Sequence, residues 1–387
     1  MEDYKTLRLT RRSLLTTMGA AGAALAMPAY IRRAQAEENT VTIMGVETAA
    51  LDDWAPFEKA AGVTIKFEGM NSDPGVFRQE VVANSIGDRV DIMLMDGGIE
   101  DDLGEKGFFM PLTGEGIPSW SKIPDSVLKS PLAQGPSGAQ YGLPVVMNAD
   151  SFAYYPDELG EKEPLSYSVL FENDKTKGRV ALENNWMTTF PMAAMYVNAS
   201  GRYPIADPAN MKAEEAKAVA EFLIERKKAG QFRTFWSTWE ESVDLLASKE
   251  VIAINCWEPA VLEVQKKGGA VRYATTTDGY NKWVINAYIP KQVAERNNYR
   301  AVAKVLEGFL GGFYAARIAT LRGYATALPE AGLAYAKEAN LPETEVIAIQ
   351  ANIQKINEKF AAKQFWQNAA PTNIQAIEAE FDRFRNA

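Results

Sequence analysis

Val41-Thr42-Ile43-Met44-Gly45-Val46, then Asp52 to Ala61 with Gly62 behind it, then Val63-Thr64-Ile65-Lys66-Phe67: this run of the chain decides the fold. The two β-branched segments read as strands, and the stretch between them has helical spacing and stops at a glycine. The result is a strand-helix-strand unit. A helix through Val76 to Ser85 and the strand Val90-Asp91-Ile92-Met93-Leu94-Met95 repeat the pattern, after which Asp96-Gly97-Gly98 leads into Ile99 to Lys106. Strands alternating with helical crossovers predict an α/β lobe with a largely parallel sheet.

Downstream, Tyr141-Gly142-Leu143-Pro144-Val145-Val146 starts another strand, and the sequence then becomes rich in Asn, Tyr and turn residues as far as Gly178. A crossing to a second lobe is expected there. Alternation resumes with a strand over 179–182, helices over 187–197, 213–229 and 240–248, and a strand over 251–255. The helices 213–229 and 301–319 carry apolar residues at helical spacing with charges opposite, which is core packing. From Glu343 to Arg385 the chain reads as mostly helical, broken at Asn368-Ala369-Ala370-Pro371.

Upstream, Thr10-Arg11-Arg12-Ser13-Leu14-Leu15 sets an arginine pair before a weakly apolar run from Leu14 to Ala29, and Ala34-Gln35-Ala36 offers a small-x-small cleavage site. This pattern predicts a twin-arginine export signal over residues 1–36 and a periplasmic mature chain starting near Glu37. A spanning helix does not fit, because the run is short, rich in Gly and Ala, and broken by Pro28; no later segment reaches the roughly 20 apolar residues a span needs.

The chain has 41 basic and 50 acidic residues. Residues 1–36 hold six of the former (Lys5, Arg8, Arg11, Arg12, Arg32, Arg33) and two of the latter (Glu2, Asp3), so the mature part carries 35 and 48, a net charge of −13. Such a charge argues against nucleic acid as a partner and mildly favours cationic ligands. About 350 mature residues exceed what one core usually organises, so two lobes with a ligand site between them are expected. Cys256 is the only cysteine and histidine is absent. An intrachain disulfide, a Ser-His-Asp arrangement and most transition-metal sites are thereby excluded. No metal, cofactor or catalytic residue is expected.

Open parallel sheets place ligands beyond the carboxyl ends of their strands. The strand exits are Glu47, Asp96-Gly97-Gly98, Asn184-Asn185 and Cys256-Trp257-Glu258. Asp96 and Asn185 serve equally well as helix caps, and Glu258-Pro259 as a helix start. Trp257 and Trp283 fit either core or an aromatic ligand wall, and such walls suit organic cations.

These residues, with Lys177-Gly178-Arg179-Val180, Ile254-Asn255-Cys256-Trp257, Trp283-Val284-Ile285-Asn286-Ala287-Tyr288-Ile289-Pro290, Gly323-Tyr324 and Trp366-Gln367-Asn368, resemble the type II periplasmic solute-binding proteins of ABC importers. Within that family the chain resembles the spermidine/putrescine-binding branch, over nearly the whole mature chain. The resemblance implies two hinged lobes with mostly parallel sheets, lobe one at 37–147 plus 284–329 and lobe two at 148–283 plus 330–387. It also implies that Trp257, Trp283, Tyr324 and Gln367 contact a ligand. An aromatic of that branch stands here as Val46, and its ammonium-binding carboxylates stand as Asn185, Thr188 and Ile285. A buried ammonium without a counter-charge costs several kcal/mol, so linear polyamines are not expected to bind in that branch's way. Either Glu47, Asp96 and Glu258 supply displaced carboxylates beside Gly97, or Asn185 and Thr188 hold a less charged solute through neutral hydrogen bonds. The expected role is capture of a small polar or cationic solute by a monomer that delivers it to an inner-membrane permease. A periplasmic enzyme and a sensor partner of the same fold are the alternatives; G-x-G-x-x-G after a strand and G-x-S-x-G are both missing from the sequence.

Overall fold

The computed structural model describes residues 39–387 apart from Asn71, Pro131 and Lys363. The export signal expected over residues 1–36 lies outside them. The opening unit forms as its pattern dictates. β1 (Thr40–Val46) and β2 (Thr64–Met70) pair in parallel across the helix Ala55–Ala61. That helix stops where Gly62 takes φ +66°, a left-handed conformation that costs glycine no Cβ strain, and its N–H closes on the Glu58 carbonyl.

Among the described residues, eleven strands make two mixed sheets. The first runs β11 (Gln364–Trp366), β10 (Tyr280–Tyr288), β3 (Ile92–Asp96), β1, β2, with β4 (Gly142–Asp150) on the other edge of β10. The second runs β7 (Phe232–Trp236), β6 (Val180–Glu183), β8 (Ala253–Ile254), β5 (Ala153–Tyr154), β9 (Arg272–Tyr273). Parallel pairing holds for the strands joined through helices, as in β2-β1-β3 and β7-β6-β8. The antiparallel strands are those at which the chain changes sheet: β4 passes into β5 over two residues, and β9 passes into β10. The expected lobe limits at 147/148 and 283/284 thus fall inside β4 and β10. Beyond residue 330, β11 joins the first sheet, while the helix Ile374–Arg385 buries Ile377, Phe381 and Phe384 in the core of the second.

One expected element splits. The apolar stripe over 301–319 forms two helices, Tyr299–Phe309 and Gly312–Arg322, because Gly311 adopts an extended conformation at the second helix's N-cap and ends the first. The strand β11 carried too short a pattern to be read from the sequence.

Candidate functional site

The parallel strands β1, β3 and β6 end at Val46, Asp96 and Glu183. In the antiparallel part of the first sheet, Ile285 lies opposite both Asp96 and Val146, Trp283 opposite Asn148, and Asn281 opposite Asp150. Directly opposed residues share a sheet face, so Asp96, Asp150, Trp283 and Ile285 are presented together. They line one side of a cavity of about 80 Å³. Roughly 10–15 Å³ of such space holds one water, so the cavity suits several waters or a solute of comparable size.

Tyr324 and Gln367 complete that side, and Asn185, Thr188 and Trp257 face it from the second sheet's side. Local chemistry fixes each of them. Gly323, at φ +66°, ends its helix and turns the chain into Tyr324, whose ring meets Trp283 edge-on at 4.9 Å. Trp257 stands edge-on to buried Trp236 at 5.4 Å, and the Trp236 indole donates to the Asn255 carbonyl. Asn185 is both cap and wall: its Oδ1 accepts from Met187 N at 3.0 Å at the start of helix Trp186–Ala199, while Nδ2 donates to Glu183 at 3.4 Å. Asp96 caps no helix; its Oδ1 accepts a long 3.5 Å bond from Gln367 Nε2.

Glu47, Gly97 and Glu258 do not line the cavity. Glu47 is exposed on a single turn after β1, its carboxylate lying against Gly69. Gly97 is a close-packing position: its N–H and carbonyl are spent on Val284 and Ala369, and a Cβ would strike the Leu132 carbonyl. Glu258 is buried against Lys355 and Lys359. Burial works against its charge, yet the two ammonium groups hold its carboxyl below the usual range.

Two carboxyls absent from the sequence reading are present instead. Asp150 lines the cavity and accepts from the Trp283 indole at 2.8 Å and from Asn148 Nδ2 at 3.3 Å. Glu183 stands behind Asn185 and Thr188, accepting 2.7 Å from the Thr188 hydroxyl. It opens on the adjoining outer cleft, which shares Ser72, Asn185, Met187 and Trp257 with the cavity. Burial, reinforced by the charge of Asp150, pushes Asp96 up to about 7. Burial likewise pushes Asp150 and Glu183 up to about 7. No Lys or Arg lines the cavity among the described residues. Both missed groups were reachable by the strand-exit criterion, since each is the last residue of its strand.

The site therefore offers aromatic faces, neutral hydrogen-bonding groups and carboxyls lacking a lining counter-charge. Among the described residues no cluster of three or more His, Cys, Asp or Glu is placed to hold a metal, and no helix is long and apolar enough to cross a membrane.

Comparison with known proteins agrees with this architecture. A putative spermidine/putrescine ABC transporter protein from Listeria monocytogenes superposes with a TM-score of 0.68 at 16% identity, over 90% of this chain and 99% of that one. The spermidine/putrescine substrate-binding protein PotD from Streptococcus pneumoniae gives 0.67 at 13%, over 90% and 99%. The binding protein MotA from A. tumefaciens B6, in complex with glucopine, gives 0.64 at 19%, over 89% and 99%. At these identities the likeness is one of fold. No curated protein matches the sequence. Residues 54–343 match the bacterial extracellular solute-binding proteins, and the chain belongs to that family.

Proposed function

We propose that this protein captures a small organic cation in the cavity and delivers it to the membrane permease of an ABC importer. One observation carries the reading: Asp96 and Asp150 face an aromatic-walled cavity whose lining, among the described residues, contains no basic one. A buried carboxylate without a partner is costly, whereas an ammonium seated between two of them and against Trp283 satisfies charge and cation–π attraction together. Thr48, Ser72, Asn185 and Thr188 supply neutral contacts to the rest of the solute, and Val46, Met187 and Ile285 supply apolar ones. The small volume favours a short amine over a spermidine-length chain.

The two sheets serve as lobes that close on the solute, with β4-β5 and β9-β10 as the hinge, refining the expected division at 147/148 and 283/284. The precursor travels through the twin-arginine route and acts in the periplasm as a monomer, without catalysis. A thermal-shift screen of residues 37–387 against amines, amino acids, betaines and organic acids tests the reading, since a ligand at 100 times its Kd adds about 2.7 kcal/mol of apparent stability. Stabilisation by amines and none by organic acids is expected; the reverse order overturns it.

A further inference from the structure

The helix Glu343–Ala361 presents Asn352, Lys355 and Lys359 at helical spacing toward the place where the chain changes sheets. Asn352 donates to the Tyr324 carbonyl at 2.8 Å, and Lys355 to the Gly323 carbonyl at 3.3 Å and to Glu258. Lys359 is the unusual member. Its side chain is only 3% exposed, its Nζ lies 3.3 Å from Glu258 Oε2, and it sits 4.7 Å from the centre of the Tyr273 ring. The hydroxyl of that ring accepts from Ser151 N at 3.0 Å, donates to the Cys256 carbonyl at 2.9 Å and lies 3.4 Å from Asp150 Oδ1. Glu258, Lys359, the half-buried Tyr273 and Asp150 thus form a continuous file ending at the cavity, and Lys359 itself lines no part of that cavity.

The charged groups that reach Asp150 come from four other elements: Asp96 at the end of β3, Glu183 at the end of β6, Glu258 on the helix Glu258–Lys266, and Lys359. Its other ionisable neighbours, Tyr167, Tyr273, Tyr324 and Cys256, are driven well above their ordinary values by burial and stay neutral. Lys359 is the positive member of this set, and after burial itself its charge is the strongest influence on Asp150.

Resting on the reading of the cavity as a cation site, we propose that Lys359 is a positioning residue: a fixed internal ammonium, paired on its far side with Glu258, that favours the charged form of Asp150 while leaving the cavity free for the solute. A lysine in the cavity would compete with the ligand for the carboxylate. Placed behind Tyr273, it favours the charged carboxylate through the low-dielectric interior without occupying the binding position.

The test reads Asp150 directly, without any solute. The carboxyl carbon of Asp150 and the indole N–H of Trp283, its hydrogen-bond donor, are followed by NMR against pH in the full mature chain. In Lys359→Met the Asp150 midpoint is expected to rise by about one pH unit, a tenfold smaller ratio of ionised to neutral form at a given pH. Lys359→Arg retains the wild-type midpoint, and Glu258→Gln, which removes the negative neighbour, lowers it. A packing role alone would not give opposite signs to the two neutralising changes. A midpoint unmoved in folded Lys359→Met overturns the proposal; if that variant does not fold, an unmoved or raised midpoint in Glu258→Gln does so. Putrescine and n-butylammonium titrations of the wild type are run alongside. Failure of both to bind while the midpoints move counts against the cation reading and leaves the role of Lys359 standing.

Discussion

The Trp283 indole nitrogen donates to Asp150 Oδ2 at 2.8 Å, joining diagonal neighbours on the antiparallel strands β10 and β4. One side chain supplies an aromatic face and the other a negative charge, and the bond between them fixes both toward the cavity. Asp150 ends β4 and only two residues separate it from the start of β5, so the pair stands where the chain passes from one sheet to the other.

Removing the charge at either cavity aspartate should weaken cation binding. Asp150→Asn and Asp96→Asn are each expected to cost roughly 2–5 kcal/mol for a cationic solute, because each leaves a desolvated ammonium with half its counter-charge. Asp96 caps no helix, so unchanged affinity in Asp96→Asn by calorimetric titration would show that its charge is not used.

Trp283 should separate into two contributions. Trp283→Ala loses ring and donor and is expected to weaken binding by at least ~1–2 kcal/mol. Trp283→Phe keeps a ring but removes the donor that favours the Asp150 carboxylate, so affinity should fall near neutral pH and recover at higher pH. A pH profile of affinity identical to wild type in Trp283→Phe contradicts this.

Stability and binding should respond to pH in opposite directions. Asp96, Asp150 and Glu183 sit at about 7 in the fold against ordinary values of 3.8, 3.8 and 4.5. Groups raised on folding contribute stability that is complete below their ordinary values and is lost as pH rises through about 7. Carboxylates held low by ion pairs, such as Glu258, stay ionised through this window and do not change it. The Tm of the unliganded protein should therefore fall between about pH 5.5 and about pH 8, while the Tm increase caused by a bound amine grows over the same interval. Calorimetry at several pH values reads both; a ligand-induced increase that shrinks with pH would contradict the cation site.

Export is tested at Arg11 and Arg12. Replacing both with lysine should leave the precursor in the cytoplasm, and mature protein recovered from the periplasm would show another route.

The legible part of this protein was the part written in local pattern. The opening strand-helix-strand unit forms within a few residues of its expected limits, because β-branched runs and a terminal glycine act over short range. Trp257, Trp283, Tyr324 and Gln367 could be named from the resemblance, and Asp96 and Asn185 from their strand exits. Asp150 escaped because β4 was followed only as far as Val146, which hid its last residue, and Glu183 because its strand was closed one residue early. Glu258 satisfied the local criterion equally well and was claimed by lysines about a hundred residues away, a pairing with no local trace.

The most direct measurement is calorimetric titration of the mature protein at about pH 8 with n-butylammonium and with butyrate, probes of similar size and opposite charge, compared at equal concentration. The account predicts measurable binding of n-butylammonium, its loss in Asp150→Asn, and no binding of butyrate. Butyrate bound more tightly than n-butylammonium would contradict it.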